Sequence, residues 1–389
     1  MGSIKDKVAI VGMGCTKFGE NWEQSADDMI IEAANEAYQD AGVEPKEIEA
    51  FWGATQDSGW GGVCMSRPLK IQYKPVARVE HACSSATDGL RNAVYGVASG
   101  AFDLAMVIGF EKLKDTGWAG LGAVGKTAPG GEPPVSMPGL FAVMAIRYFH
   151  HYGLSPQEGK EMLAKIAVKN HHNGTLHPKA HFRREVTLEQ VMSAPLIAWP
   201  LGLFDCCGVS DGAAAAIIAR ADIAKRFKDN PVYIKAIQTI IGPCDGYLRD
   251  DYDYVHFEED YRFGQALYQE ADINDPRSEI SSIEIHDCFT IAEAVSLEDL
   301  GFSPRGKVRE DIDAGTFQLD GQLPVNTDGG LKCFGHPVGA SGLRMLYEQY
   351  NQLQGRAGPR QLKDPKLLMI HTRAGWPGYA MPSGAIVSL

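Results

Sequence analysis

Apolar positions in this chain fall into two recurring patterns: short β-branched runs that stop at glycine, and helical repeats bounded by capping residues. KVAIVG (7–12) is a run of the first kind and predicts a buried strand. From Ser25 to Ala41 the repeat SADDMIIEAANEAYQDA predicts a helix. Ser25 can cap it, Asp27 and Asp28 suit its positive end, and Gly42 stops it. IEAFWGAT (48–55) reads as a strand, Ser84 to Ser99 as a helix closed by Gly100, and Phe102–Phe110 as a strand. The second half repeats the order. Val232–Thr239 is a strand, Tyr261–Ala271 a helix, and Ile283–His286 a strand running into HDCF. Ser341 to Leu353 is then a helix and LLMIHT (367–372) a strand. In both halves a small-residue elbow precedes the last helix, HACSSATDG in the first and GHPVGASG in the second.

A duplicated strand–helix order predicts an α/β protein of two βαβαβ halves, 1–231 and 232–389, packed face to face with chemistry on the loops at the strand ends. Between them lies an insertion, about 113–205, that opens on GWAGLGAVGKTAPGGEPPVSMPG. That Gly/Pro content forbids a regular element and predicts a cap over a substrate. A helix around Ser155–Asn170 follows, and then HHNGTLHPKAHF, read as a loop.

Composition narrows the class. At 389 residues, 44% hydrophobic and 22% charged, the chain matches globular proteins of more than one small unit. A formal charge of −12 excludes a nucleic-acid role, which needs a basic stripe. No apolar run spans a bilayer and no signal peptide is evident, so a cytoplasmic location is expected, with no membrane contact. Eight scattered cysteines without an export signal predict free thiols, and the absence of a CxxC pair excludes a zinc ribbon within this chain. No Walker loop and no GxGxxG occur.

The candidate chemistry sits in three stretches. Cys83, where a strand ends and a helix begins, is a candidate nucleophile. Amides at a helix start favour a thiolate, lower the thiol pKa and can hold an oxyanion. Ala82, Ser84, Ser85 and Ala86 let a substrate approach; the plain alternative is a packed thiol. His286 and Cys288 follow a strand, whose alternation would send both to one side and Asp287 to the other, giving proton-transfer chemistry. His336, between Gly335 and Pro337, is presented rigidly and is placed to take the proton from Cys83. His171, His172, His177 and His181 lack carboxylates at tight spacing and predict no metal site. RDDYDYVHFEED (249–260) reads as solvated surface, and Cys206 and Cys207 as packing residues.

These stretches, with KVAIVGMGCTKFG at the start and HPKAHFRREVTLEQVMSAPLIAWPLGLFDCCGVSDGAAA in the middle, resemble the thiolases, specifically the sterol-carrier-protein-type branch, almost end to end. The resemblance implies a five-layered α-β-α-β-α fold with a loop domain and an acyltransferase that uses coenzyme A as substrate and no metal. It implies Cys83 as acyl-carrying nucleophile, His336 as its base, His286 in the oxyanion hole for a thioester enolate, and Cys288 as the acid/base at the acetyl carbon. The strand HTRAGWPG lacks the second catalytic cysteine of ordinary thiolases; its Gly375, with the amide of Cys83, would furnish the second oxyanion hole. Partners implied are a second copy of the chain, through the strand beside the nucleophile, and a small zinc-ribbon/OB-fold subunit in trans. The expected reaction is thiolysis of a 3-ketoacyl-CoA, bulky or aromatic as in the benzoylsuccinyl-CoA thiolases, from GWGG (59–62) and GWAGLG (117–122) in the cap loops. Alternatives are an acetoacetyl-CoA thiolase, a β-ketoacyl synthase and a catalytically silent acyl-CoA-binding subunit. The retro-aldolase subgroup works without the nucleophilic cysteine, so Cys83 argues against it.

Overall fold

The computed structural model describes residues 3–116 and 136–389; GWAGLG and most of the Gly/Pro-rich opening of the insertion lie outside them. In chain order the principal elements are β1 (Val8–Cys15), α1 (Ala26–Ala41), β2 (Ala50–Ala54), β3 (Val76–Val79), α2 (Ser85–Ala98) and β4 (Leu104–Glu111). The insertion contributes α3 (Met137–His151) and α4 (Pro156–Leu176), and β5 (Gly212–Arg220) closes the first half. There follow β6 (Val232–Thr239), α5 (Glu258–Ala271), β7 (Ser282–Glu284), α6 (Thr290–Asp299), the single turn α7 (Gly330–Cys333), α8 (Ser341–Leu353), β8 (Leu368–Trp376) and β9 (Tyr379–Ser388).

The strands form one sheet in the order β3-β2-β4-β5-β1-β6-β9-β8-β7. Both halves read the same way outward from the β1–β6 seam: first strand, last, penultimate, then second. Val325, bridged in parallel to Ile283, takes the place that β3 holds in the first half. The halves therefore share an edge, with register pairs at Ala9–Tyr233 and Ile10–Val232 and a further bond from the Asp6 N–H to the Ile234 carbonyl. They still face each other, because α2 and α8 each touch strands of both halves and the sheet folds around them. With α1 outside the first half and α5 outside the second, the five layers are complete.

Side-chain alternation explains the layering. In β5, Ala213, Ala215 and Ile217 join the cluster of α1, while Ala214, Ala216 and Ile218 join that of α2 and α8. Both faces are buried, so the run is apolar throughout. Helix α1 lies directly on β1: a Cβ at Gly14 would sit 2.1 Å from the Ala33 carbonyl. Gly12, expected to end the strand, is instead an interior position of close packing, and β1 continues to Cys15. Caps form as expected: the Ser25 side chain accepts from the Asp28 amide, and Gly42 ends α1 at φ 67°.

Three local expectations are corrected. Helix α4 runs to Leu176, so His171 and His172 are helical and His177 is its C-cap; past Ala167 its buried side chains are polar and are held by distant residues, Asn170 by Asp287 and Glu293 and Asn173 by the Asn326 carbonyl. Strand β7 stops at Glu284, because Ile285 donates its N–H to the Asn326 side chain and leaves the ladder. The acidic stretch 249–260 is not all solvated. Val255 and Phe257 are buried, and so is Asp260, whose carboxylate meets the Arg373 guanidinium at 2.6 Å. All eight cysteines are free thiols, as expected. Among the described residues no helix is long and apolar enough to cross a membrane.

Candidate active site

Cys83 stands on a single 3-10 turn, Ala82–Ser84, between β3 and α2. The turn is strained, since Ala82 adopts φ 43°, a region costing a non-glycine residue about 1–3 kcal/mol. Local bonds hold it there. The Ala82 N–H donates to Glu80 (2.7 Å), the His81 N–H to Ser85 Oγ (2.8 Å), and the Ser85 hydroxyl to the Ala82 carbonyl (2.6 Å). From the other half, the Ala374 N–H donates to Ser84 Oγ (3.1 Å), which brings the end of β8 and Gly375 beside the nucleophile's turn. Gly375 has φ 86°, and a Cβ there would lie 1.8 Å from the Tyr379 carbonyl, so glycine is required.

The expectation of a lowered Cys83 pKa is overturned. Burial pushes the thiol up to about 12, with Cys207 and Glu111 adding to the effect. Desolvation of a thiolate outweighs the few amides of a short turn. Ionisation therefore has to be coupled to a base.

His336 is built for that role. Its Nδ1 lies 2.8 Å from Ser341 Oγ, and the Ser341 hydroxyl itself donates to the Pro337 carbonyl (2.9 Å). Nδ1 is therefore the protonated nitrogen, and Nε2, which has no hydrogen-bond partner, carries a free lone pair. Burial, with Arg344 nearby, lowers its pKa to about 3, so the ring is neutral at ordinary pH. His286 packs edge-on against it, ring centroids 5.4 Å apart at 84°. Burial, then His336, holds His286 well below the usual imidazole range. One ligating atom each from Cys83, His286 and His336 lie within 4.8 Å of one another. Two elbows and the loop after β7 meet at one point, although their residues are spread over more than half the chain.

Cys288 is buried, and burial pushes its thiol well above the usual range; Arg373 opposes this and Cys83 reinforces it. His286 and Cys288 do not owe their direction to strand alternation, because the strand has already ended. Asp287 anchors the turn instead: its carboxylate accepts from the Leu331 N–H (2.6 Å), the Lys332 N–H (3.3 Å) and Asn170 Nδ2 (2.9 Å).

Two residues at the site escaped the sequence reading. Cys207, taken for packing, donates its N–H to the Cys288 carbonyl (2.9 Å). Glu111, at the end of β4, is fully buried and accepts from Thr55 Oγ1 (2.8 Å) and the N–H groups of Gln56 (2.9 Å), Asp57 (3.0 Å), Ser58 (2.9 Å) and Gly339 (3.1 Å). It thereby ties the loop after β2 to the elbow of His336. The GFEK context offered no signal, because all five donors come from elsewhere in the chain. Cys206 and Cys207 also line a mostly apolar cavity of about 330 Å³, with Pro138, Phe182, Phe204 and Phe289. His171, His172, His177 and His181 have separate partners: Arg184, Glu185, Lys179 and Ser210.

Chemically, a half-buried thiol beside an uncharged imidazole with a free lone pair has what a nucleophile–base pair needs. A second imidazole shares the 4.8 Å group, and the Cys288 thiol, which interacts electrostatically with Cys83, offers a second proton carrier.

Known proteins resemble this chain along most of its length. The thiolase N-terminal domain family matches residues 8–222 and the thiolase C-terminal domain-like family residues 250–382. An acetyl-CoA acetyltransferase of Methanothermobacter thermautotrophicus is 35% identical over 96% of this chain and 97% of that protein. Sterol carrier protein 2 of Gallus gallus is 29% identical over 95% of this chain and 70% of its own length. Benzoylsuccinyl-CoA thiolase subunit BbsB of Thauera aromatica is 29% identical over 96% of both. Among solved structures, an Ltp2–ChsH2(DUF35) aldolase superposes with a TM-score of 0.84 at 26% identity, covering 99% of this chain and 98% of that one.

Proposed function

The chain belongs to the thiolase family and is an acyltransferase of the thiolase type, and from that premise we propose that it cleaves a 3-ketoacyl-CoA with coenzyme A through an acyl-enzyme on Cys83. The observation that carries this reading is that a ring nitrogen of His336 lies in one 4.8 Å group with the Cys83 sulfur, while His336 Nε2 has no hydrogen-bond partner. Cys83 gives its proton to that nitrogen as the sulfur attacks the keto carbon, so Cys83 need not rest as a free thiolate. The bond between the keto carbon and its neighbour then breaks, and the electron pair passes into a thioester enolate. The N–H of neutral His286 stabilises the enolate oxygen, and Cys288 protonates the carbon, releasing acetyl-CoA or another short acyl-CoA. In the second half the Cys288 thiolate takes the proton of incoming coenzyme A, whose sulfur attacks the acyl-enzyme. Cys83 leaves and recovers its proton from His336. Backbone amides of Cys83 and Gly375 serve the tetrahedral oxyanions.

The apolar cavity beside Cys207 and Phe289 receives the thioester-bearing chain, and its aromatic lining supports a bulky or aromatic acyl group, as does the likeness to the benzoylsuccinyl-CoA thiolase subunit. The 35% identity to an acetyl-CoA acetyltransferase favours acetoacetyl-CoA as a second reading. Likeness to a thiolase subunit and to an aldolase in complex with a DUF35 protein supports a small partner supplied in trans, beside a homodimer formed along β3. The two functional halves divide between residues 231 and 232, and the protein works in the cytoplasm.

Mixing the protein with acetoacetyl-CoA or an aromatic 3-ketoacyl-CoA should add one acyl group to Cys83, seen by mass spectrometry, and none in Cys83→Ser. An unmodified thiol with both substrates would refute the proposal. Retention of condensing activity with a malonyl donor in Cys288→Ala would move the protein to the β-ketoacyl synthases.

A further inference from the structure

Three of the groups at this site also satisfy a different chemistry. Cys83, His286 and His336 offer one sulfur and two imidazole nitrogens within 4.8 Å, the one group of metal-ligating side chains this close among the described residues. Two buried nitrogens at the site, His286 Nδ1 and His336 Nε2, have no hydrogen-bond partner, and each residue is only 1% exposed. An unpaired buried nitrogen loses the bonds it would make to water, at roughly 1–3 kcal/mol apiece. A ligand that accepts the His336 Nε2 lone pair removes that penalty there.

We propose that the Cys83–His286–His336 group is a binding site for a soft divalent cation, zinc above all, which reversibly occupies the nucleophile. Sulfur and imidazole nitrogen are the donors zinc prefers, and three protein ligands plus a water make an open tetrahedral site. Zn–N bonds of about 2.0–2.1 Å and a Zn–S bond of about 2.3 Å place ligand atoms roughly 3.4–3.7 Å apart, so rotations moving them by about an ångström complete the set. The outer shell is already present. The Nδ1–H of His336 donates to Ser341 Oγ, whose hydroxyl is fixed by Pro337, and this is how metal-bound histidines are commonly oriented. Asp287, bonded to Leu331, Lys332 and Asn170, fixes the turn that carries His286. Binding exchanges the Cys83 proton for the metal: Zn²⁺ and the thiol give the zinc thiolate and one released H⁺. With its sulfur pair bound to zinc, and the lone pair of its base likewise, Cys83 can neither attack nor be deprotonated by His336. Hard cations such as magnesium prefer oxygen donors and are excluded.

The test uses the intact protein and zinc chloride alone, with magnesium chloride as control. Equilibrium dialysis should show one high-affinity zinc per chain, with one proton released. Saturating zinc should slow alkylation of Cys83 by iodoacetamide at least tenfold, as mapped by mass spectrometry, and a chelator should restore it. Ser341→Ala should weaken zinc binding about tenfold, the usual effect of removing an outer-shell partner, and Cys83→Ser should abolish the high-affinity site. Unchanged Cys83 alkylation under saturating zinc overturns the proposal, and so does full-affinity binding by Cys83→Ser. The alkylation result in the native chain decides the matter even if a variant fails to fold. It is also independent of turnover: a chain that binds zinc here yet never forms an acyl-enzyme would refute the thiolysis reading alone.

Discussion

At the scale of single residues, burial is the dominant force on the chemistry. Cys83 precedes a helix, yet desolvation carries its thiol up to about 12, while the same desolvation takes His336 down to about 3. Both shifts favour the neutral thiol–imidazole pair over the ion pair at rest, so charge appears only as the reaction proceeds. On the proposed mechanism His336 is available as the base at every pH above about 3 and loses that role only as pH falls through that value. Acyl-enzyme formation on Cys83, followed by rapid quench, should accordingly stay flat between about pH 8 and pH 5, where a solvated imidazole of pKa about 6.5 would lose most of its basic form. A fall centred near 6.5 would disprove the assignment. The same shift acts on stability. The unfolded chain protonates this histidine below about 6.5 and the folded one does not, so stability is complete above that pH and declines as pH drops. The residue types at Cys83, His286, Cys288 and His336 could be read directly, because each lies in a distinctive short motif. Glu111 and Cys207 could not, since what defines them is their partners: the Gly339 N–H, 228 residues from Glu111, and the Cys288 carbonyl.

At the scale of elements, helices whose ends are set locally were the legible ones. Helix α8 spans Ser341–Leu353 and strand β6 spans Val232–Thr239, both as expected, and α1 begins after its Ser25 cap. Strand β7 and the far end of α4 differ from the expectation, because hydrogen bonds to distant residues, Asn326 for both and Asp287 and Glu293 for α4, decide where they stop rather than any local breaker. Loops are joined by carboxylates. Glu111→Gln would present an amide N–H₂ to a ring of N–H donors, and urea unfolding should show a loss of about 2–3 kcal/mol, the worth of one or two charge-assisted bonds. Turnover should fall more than KM rises, because the His336 elbow shifts while the apolar cavity remains. Gly14→Ala tests the helix–strand contact. With the Ala33 carbonyl 2.1 Å from the new Cβ, α1 has to move outward, and destabilisation by about 1–3 kcal/mol is expected in thermal or urea melts.

At the scale of the whole molecule, the interior holds charge as well as apolar packing. Arg373 is buried, pairs with Asp260, and stacks on the Phe257 ring 3.6 Å away. Burial pushes the Asp260 carboxyl up, but Arg373 and His371 outweigh it and keep it ionised. Arg373→Met leaves an uncompensated carboxylate and should cost about 3–5 kcal/mol, whereas Asp260→Asn combined with Arg373→Met should recover much of it. A double variant no more stable than Arg373→Met would show that the pair matters for packing alone. By itself the order of residues determined the duplicated α/β plan, the family, and the three motifs that meet at the candidate site, because strand runs, caps and elbows are written in neighbouring residues. Only the tertiary structure decided that the halves share one folded sheet and that Asp260 is interior. It alone set the proton on His336 Nδ1 and left Cys83 a neutral thiol. Those outcomes depend on burial and on partners brought together from distant parts of the chain, and neither is encoded in any local stretch.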